Sequence, residues 1–348
     1  MDIEKFLREI TAISGLSGRE KLVAEYARES FLPYTDEAEI DDMYNMVVVH
    51  RGAEGGARIM ICAHMDEIGM VVSKIEDDGS LRIWKSGGVD PRVLPASRVI
   101  VKGENGSLLG VVGAKAPHLL TPDEQKRNYS LDELYVDVGL DKESAEKQIR
   151  IGAEVTFEPI LTKLGNGCLA SKTMDDRACV GMMLECAEIL SKRKTWANVY
   201  FTASSQEEVG SKGAETAAFR LNPDLAIAID VTHGPVNGAP PDSTYPLNKL
   251  CLTKAPLIQK KLYERIIETA DKLHIGVSRG VSGGDTYTDS DNIQFARDGI
   301  PTALIELPLK YMHTSVETLS LSTLHDGARL LAEFCSAIEA GWEEELWS

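Results

Sequence analysis

The stretch ARIMICAHMDEIG, residues 57–69, joins a β-rich apolar run to a cluster of polar side chains. The run over 57–64 predicts a strand, as does NMVVVH at 45–50. His64 and Asp66 follow where the first of these strands ends. Because residues two apart on an extended chain point the same way, Asp66 can orient the His64 ring. The end of this strand is therefore a candidate site.

Outward from this stretch, the chain shows two different patterns of predicted secondary structure. Helical and strand-like segments alternate over residues 1–69 and again from about 164 to 348, which predicts one discontinuous α/β domain with a largely parallel sheet. Residues 70–163 instead contain short strand-like runs separated by turns, which predicts an inserted small β-barrel or sandwich. In the α/β domain we expect strands at NVYFTAS, DLAIAIDVT and PTALIEL and helices at about 176–192, 257–273 and 321–345.

Two amphipathic helices are predicted near the start of the chain. Apolar residues recur with helical spacing over residues 3–10 and again over 22–26. Between them, Ser17 and Glu20 have the spacing of a capping box, which would begin the second helix. Much further along, residues 236–256 are rich in Pro and Gly and predict a long irregular connection.

Composition limits the classes of function. The 348 residues are enough for two domains, and 37 basic against 54 acidic side chains give a net charge of -17. This charge disfavours nucleic acid and anionic membranes as partners. The N-terminus has no signal-peptide pattern, and no apolar run is long enough to span a bilayer. Six scattered cysteines without metal-ligand spacing suit buried thiols in a reducing compartment, so we expect a cytoplasmic protein.

Ligand-type side chains stand at the carboxyl ends of four predicted strands. Because the ligand crevice of an open α/β sheet lies outside those ends, we expect them to converge on one site. Another pair of carboxylates precedes the helix predicted from 176. Taken alone, each group has a simpler explanation, such as a charged turn or a helix cap, but four such strand ends are improbable by chance. In chain order these residues are His64 with Asp66, Asp175 with Asp176, Glu207 with Glu208, Asp230 and His313.

This set of donors predicts metal chemistry. Two imidazoles and several carboxylates, with no cysteine nearby, suit zinc, cobalt or manganese in a hydrolase, and their number predicts two divalent ions. The carboxylates of Asp175, Glu208 and Asp230 would leave one positive charge in excess, enough to hold a hydroxide. Glu207, beside a ligand, is then free to act as the general base.

Five motifs extend this picture along essentially the whole chain: AHMDEIGMVV, KTMDDRACVG, SSQEEVGSKGA, AIDVTHG and KYMHTSVE. In this order they resemble the tetrahedral aminopeptidases, also called the glutamyl-aminopeptidase or deblocking-aminopeptidase family of dinuclear metallopeptidases. The resemblance implies a three-layer α/β/α metallopeptidase domain. It also implies that the inserted β-barrel-like domain over 70–163 mediates oligomerisation, and that the subunits form a tetrahedral homododecamer built from dimers.

The resemblance also implies roles for single residues. Two metal-binding groups would share one bridging carboxylate: His64, Asp175 and Asp230 for one ion, and Asp175, Glu208 and His313 for the other. Glu207 matches the general base, and Asp66 matches the residue that orients a ligand ring. The chain departs from the family in the longer loop SGGDTYTDSDNIQ, where Thr288 and Asp289 are the expected substrate contacts, and at Lys310, where many members have arginine.

Together these features predict a metal-dependent aminopeptidase that acts on peptides. A water between the two metals would lose its proton to Glu207 and attack the first peptide bond, and the need for a free α-amine would restrict the enzyme to N-termini. An N-acyl amino acid deacylase or a dipeptidase with the same dinuclear site is the nearest alternative. A glycosidase with paired carboxylates and a non-catalytic binding shell are more distant ones. The preferred first residue and the native metal stay open.

Overall fold

A computed structural model describes residues 1–342 of the chain. Its strands are β1 (Glu37–Ile40), β2 (Met46–His50), β3 (Arg58–His64), β4 (Gly69–Ile75), β5 (Leu81–Ser86), β6 (Arg98–Gly103), β7 (Gly106–Gly113), β8 (Tyr135–Asp137), β9 (Glu154–Phe157), β10 (Thr162–Lys163), β11 (Cys168–Ser171), β12 (Asn198–Ser204), β13 (Leu225–His233), β14 (Leu250–Lys254), β15 (Val277–Val281), β16 (Thr302–Lys310) and β17 (Glu317–Ser320). Its α-helices are α1 (Ile3–Ala12), α2 (Lys21–Phe31), α3 (Lys142–Gln148), α4 (Met174–Leu190), α5 (Lys212–Leu221), α6 (Lys260–Lys272), α7 (Ser290–Ile293) and α8 (Leu321–Ser336).

Eleven of the strands form one mixed sheet with a parallel centre. Its order is β1-β2-β12-β3-β13-β16-β17-β11-β10, with β14 pairing with β16 and β15 pairing with β14. The strands β12, β3, β13 and β16 are parallel. The margins are largely antiparallel because short connections between strands that follow one another in sequence, as from β16 to β17, force that pairing. The prediction of a largely parallel sheet is correct for the centre and wrong for the margins.

Helices cover the central strands on both faces, which explains why β3 and β13 are buried along most of their length. One group of helices, α1, α2, α4, α6 and α8, packs together, and α4 contacts β3 and β13. The helices α5 and α7 contact each other and also reach β3 and β13. Apolar side chains between these layers form one large core. The predicted α/β fold is confirmed.

Four of the predicted segments differ from the structure in their bounds or content. The helix predicted to end at 345 is α8, which ends at Ser336, and residues 343–345 lie outside the described part of the chain. The helices predicted at 176–192 and 257–273 are α4 and α6, each displaced by three residues or fewer. The region 236–256, predicted to be irregular, contains the buried strand β14, whose short apolar run is flanked by turn-forming residues.

The six strand-like runs after residue 69 form a closed barrel in the order β4-β5-β8-β7-β6-β9. Its interior is a separate apolar cluster that includes Met70, Leu81 and Val136. The short helix α3 lies between β8 and β9 and was not predicted. The barrel strands begin at Gly69 and end at Phe157, and the domain boundaries at 70 and 163 stay a prediction.

The predicted capping box at the start of α2 is wrong. The helix follows Glu20 without a side-chain cap. Ser17 Oγ instead donates to Asp66 Oδ2 at 2.6 Å, and Glu20 Oε1 accepts the backbone N–H groups of Gly18 and Gln206. Contacts with distant segments outcompete the local cap, and they tie residues 17–20 to the end of β3 and to the loop after β12.

All six cysteines are free thiols, and five of them are buried, as expected from their scatter. None of the helices within residues 1–342 is both long and apolar enough to cross a membrane.

Candidate active site

The strand ends singled out by the sequence meet around one cavity. The strand β3 ends at His64, which is paired in parallel register with Ser204 at the end of β12, and the glutamate pair follows in the next turn. The cavity has a volume of about 660 Å³. Among the residues that line it are His64, Asp175, Glu207, Glu208, Asp230 and His313. These are the predicted metal ligands and the predicted general base.

The donor atoms form two groups that share Asp175. Within each group the candidate ligand atoms lie within 4.8 Å of one another: His64, Asp175 and Asp230 in the first, and Asp175, Glu208 and His313 in the second. Asp175 Oδ1 is 3.0 Å from His64 Nε2, and Asp175 Oδ2 is 3.4 Å from His313 Nε2. Each carboxylate oxygen of Asp175 therefore faces a different histidine, so this side chain is common to both groups.

Asp175 does not cap α4, so the simpler explanation of this aspartate as a helix cap is excluded. Its φ and ψ of -78° and 104° are not helical, and the cap residue Thr173 makes no capping bond. The Asp175 carboxylate points at the two histidines instead. Asp176 belongs to neither donor group; its Oδ2 accepts the backbone N–H of His64 at 3.3 Å.

Electrostatics favour cations at this site. Burial, together with neighbouring carboxylates, raises the pKa of Asp230 well above its usual range, and burial also raises the pKa of Glu208. Burial alone would lower the pKa of His313, but its contacts with Asp175 and Glu208 outweigh this effect and raise it to about 11. No lysine or arginine among residues 1–342 lines the cavity to neutralise these acids.

The donor set therefore fits divalent metal ions. Buried charges are stable only when they are paired or bind metals, and imidazole with carboxylate is the ligand chemistry of zinc, cobalt and manganese. A cation held between the carboxylates would lower their pKa values again.

Asp66 holds together the parts of the site that come from different strands. This fully buried carboxylate accepts the backbone N–H groups of Glu207 at 2.9 Å and Glu208 at 3.3 Å, besides the hydroxyl of Ser17. Its Oδ1 lies 3.4 Å from His64 Nδ1. Asp66 therefore fixes the glutamate turn, which was not foreseen, and its carboxylate faces the His64 ring, where the orienting role stays a prediction.

Glu207 lies beside the first donor group without belonging to either group. Its Oε2 is 4.0 Å from His64 Nε2, and its Oε1 accepts a hydrogen bond from Ser211 Oγ at 3.3 Å. Burial raises the pKa of Glu207 to about 10; His64 opposes this shift, and the carboxylate of Asp230 adds to it. Glu207 Oε2 therefore lies beside the candidate ligand atoms without being one of them.

Two features of the site were not predicted from the sequence. Glu317 is buried and accepts the backbone N–H of His313 at 2.9 Å and that of Asp175 at 3.0 Å, so one carboxylate fixes two candidate ligands. Gly88, in the barrel segment after β5, lies so close to the His313 ring that an added Cβ would be 2.5 Å from Nδ1. Only the spacing of Glu317 four residues after His313 could have suggested the first.

Of the predicted substrate contacts, Thr288 lines the cavity. Asp289 and Lys310 are not among the lining residues. The carboxylate of Asp289 is buried and accepts hydrogen bonds from Ser204 Oγ and Cys62 Sγ. Lys310 ends β16, where its backbone is the register partner of Thr318 on β17. The structure therefore keeps Thr288 as a candidate and does not support the other two.

Comparisons with known proteins place this architecture among peptidases. The model of the family described as M42 glutamyl aminopeptidase matches residues 45–330. The lysyl aminopeptidase of Pyrococcus furiosus is 34% identical over 321 residues, which cover 90% of this chain and 91% of that protein.

Solved structures give the same result across both the sheet and the barrel. An aminopeptidase from the archaeon Desulfurococcus kamchatkensis matches with a TM-score of 0.93 at 33% identity, covering 99% of this chain and 98% of the other. The TET1 peptidase of Pyrococcus horikoshii, described as assembling into a tetrahedron or a large octahedral shell, matches with a TM-score of 0.84 at 29% identity. This match covers 97% of this chain and all of that one.

Proposed function

Because this chain belongs to the M42 glutamyl aminopeptidase family, as its motifs predicted, we propose that it is a metal-dependent aminopeptidase. It would hydrolyse the first peptide bond of peptides that carry a free α-amine. The observation that supports this activity best is the pair of donor groups sharing Asp175, with the carboxylate of Glu207 beside them. Such an arrangement would hold two cations and leave a separate group to move a proton.

The proposed cofactors are two divalent ions per subunit, zinc or cobalt, with manganese as a third candidate. His64, Asp175 and Asp230 would hold one ion, and Asp175, Glu208 and His313 the other. When bound, such ions lower the pKa of water and polarise a carbonyl oxygen.

Glu207 is proposed to carry the proton through the reaction. A carboxylate oxygen takes a proton from the attacking water as its oxygen bonds to the scissile carbonyl carbon, and gives it to the nitrogen of the leaving peptide as the C–N bond breaks. Ser211 holds Oε1, so Oε2, on the side of His64, is the oxygen placed for this transfer. Asp66 is a positioning residue, because it fixes the His64 ring and the Glu207 backbone without lining the cavity.

A deacylase or dipeptidase with the same site differs from an aminopeptidase in what it requires of the substrate amine. We would assay matched peptides with free and acetylated N-termini, with and without a chelator. We expect release of the first residue from free peptides only, and loss of that activity with the chelator. Preferential cleavage of the acetylated series would establish a deacylase, and activity confined to dipeptides would establish a dipeptidase. A glycosidase would leave both candidate histidine ligands without a role.

We also propose that the inserted domain, residues 70–163, mediates self-association into a tetrahedral homododecamer built from dimers. Exposed apolar side chains on its strands support this role: Trp84 on β5 and Leu109 and Val111 on β7. Light scattering should give about twelve times the 38.0 kDa of one chain. Trp84→Glu should reduce that mass, because a buried unpaired charge disfavours an interface. A dodecamer that persists in this variant would place the contact elsewhere.

A further inference from the structure

The wall of the cavity beyond the two donor groups is acidic. Asp285, Asp291 and Glu306 line it. The carboxylate of Asp291 is already engaged, because it accepts the backbone N–H groups of Thr286 and Tyr287 and the Thr286 hydroxyl. Asp285 is exposed to solvent. Glu306 is therefore the one buried carboxylate of this wall that neither the donor groups nor the loop structure explains.

Glu306 lies on the same face of the sheet as the candidate ligand Asp230. It is 7% exposed and stands on β16, in parallel register with Asp230 on β13. Because register partners on adjacent strands project from the same face, their side chains start about 4.8 Å apart. The wall position of Glu306 is thus one strand away from a candidate ligand.

The surroundings of Glu306 contain hydrogen-bond donors but no cation. Thr253 Oγ1 donates to Glu306 Oε2, and the residue paired with Glu306 on β14 is Cys251. No salt bridge to Glu306 occurs among residues 1–342, and burial raises the pKa of its carboxyl group. A buried carboxylate without a cation is costly unless a ligand supplies one.

We propose that Glu306 is the specificity-determining residue of a subsite for a cationic side chain, so that the enzyme prefers peptides whose first residue is lysine or arginine. This inference rests on the proposed aminopeptidase function. With the α-amine of the substrate near the donor groups, the four-carbon stem of lysine can span the distance of one strand to Glu306. An acidic first residue would meet Glu306 and Asp285 with like charge, and an apolar one would leave Glu306 unpaired.

The test uses substrates that differ in one charge. Lysyl and norleucyl amides of a fluorogenic amine have side chains of similar length, and only the first carries a cation. We expect the wild-type enzyme to favour the lysyl substrate at least tenfold in kcat/KM. Glu306→Gln should lower kcat/KM for the lysyl substrate about 30-fold and change that for the norleucyl substrate less than about threefold.

Two further variants distinguish a loss of the carboxylate charge from a folding defect. Glu306→Asp keeps the charge and should retain the lysyl preference, and Asp298→Asn, an exposed acid outside the cavity, should behave as wild type. Thermal unfolding and metal content are measured for each variant. If Glu306→Gln does not fold, the lysyl-to-norleucyl ratios of the wild type and of Glu306→Asp decide the result.

The outcomes separate this inference from the proposed function. No turnover of any free-amine substrate would contradict the aminopeptidase activity itself. Turnover of the norleucyl substrate without an advantage for lysine would overturn the cationic subsite alone. So would a Glu306→Gln variant that slows both substrates equally.

Discussion

The two donor groups that share Asp175 differ in burial and in support. In the first group the His64 side chain is 2% exposed and ends a central strand. In the second group the His313 side chain is 31% exposed and lies in the loop between β16 and β17. Parallel strands bring His64 and Asp230 of the first group together, because their carboxyl ends lie at the same edge of the sheet, and Asp175 joins them from the start of α4. The second group includes a loop histidine, and a loop needs neighbours to hold it in place.

Those neighbours come from two directions. Glu317, at the start of β17, accepts the backbone N–H groups of both Asp175 and His313. From the barrel, Gly87 lies close to the Glu208 side chain of the second group, and Gly88 lies close to the His313 ring. The barrel therefore contacts the second group directly, and changes in the inserted domain can reach these candidate ligands without altering the sheet.

The largest effect on activity is expected from a substitution at Glu207, which should leave metal binding by both donor groups unchanged. Glu207→Gln keeps the shape of the side chain and removes the proton acceptor, so kcat should fall about 10²- to 10⁴-fold. Both metal equivalents should remain, as measured by elemental analysis of the purified protein. Glu215→Gln, on the exposed surface of α5, is the control and should keep full activity. Loss of metal from the Glu207 variant would mean that this residue is a ligand, and retained activity would remove it from the mechanism.

A pair of histidine substitutions tests the difference in burial. Each of His64→Ala and His313→Ala should lower the metal content by one ion per subunit. His64→Ala should also lower the free energy of unfolding by about 3 kcal/mol or more, because it leaves buried carboxylates without a partner. His313→Ala should cost less, since water reaches that site.

Urea denaturation of both variants measures the comparison. His325→Ala, whose partly exposed ring pairs with Glu185, is the control and should change neither the metal content nor the stability by much. Equal losses of stability in the two ligand variants would show that burial does not distinguish the two groups.

The sequence predicted the residues at strand ends better than the contacts that hold His313 in the second group. His64 and Asp230 of the first group, like Glu208 of the second and the neighbouring Glu207, follow or end apolar runs, so the geometry of parallel strands was enough to bring them together. Glu317 acts through backbone N–H groups, and side-chain patterns carry no record of such contacts. Gly88 matters because of a close approach between barrel and sheet, which only the assembled fold contains.

The same reason explains what the sequence predicted incorrectly. Ser17 and Glu20 have the spacing of a capping box, but their side chains bond to Asp66 and to the loop after β12. Local spacing describes the unassembled chain, and buried tertiary partners can override it.

Glu317→Gln tests the support of the second group with a smaller expected effect. The amide retains one acceptor and places N–H donors against the backbone N–H of either Asp175 or His313. Affinity for the second metal equivalent should fall about 10- to 100-fold, while the first changes less. Competition with a chelating dye measures both steps, and Glu333→Gln on the surface of α8 is the control. A uniform loss from both groups would show that Glu317 acts through the bridging Asp175 rather than through His313.

The smallest effect is expected from the barrel, where Gly88→Ala would place a Cβ 2.5 Å from His313 Nδ1. Because the partly exposed ring can shift, we expect a cost of about 1 kcal/mol, at the low end for overpacking. This corresponds to about fivefold weaker binding of the second metal equivalent. Gly165→Ala, at a position with no atom near the new Cβ, is the matched control and should leave binding unchanged. If Gly88→Ala binds both equivalents as the wild type does, the barrel does not restrain His313, and the second group depends on Glu317 alone.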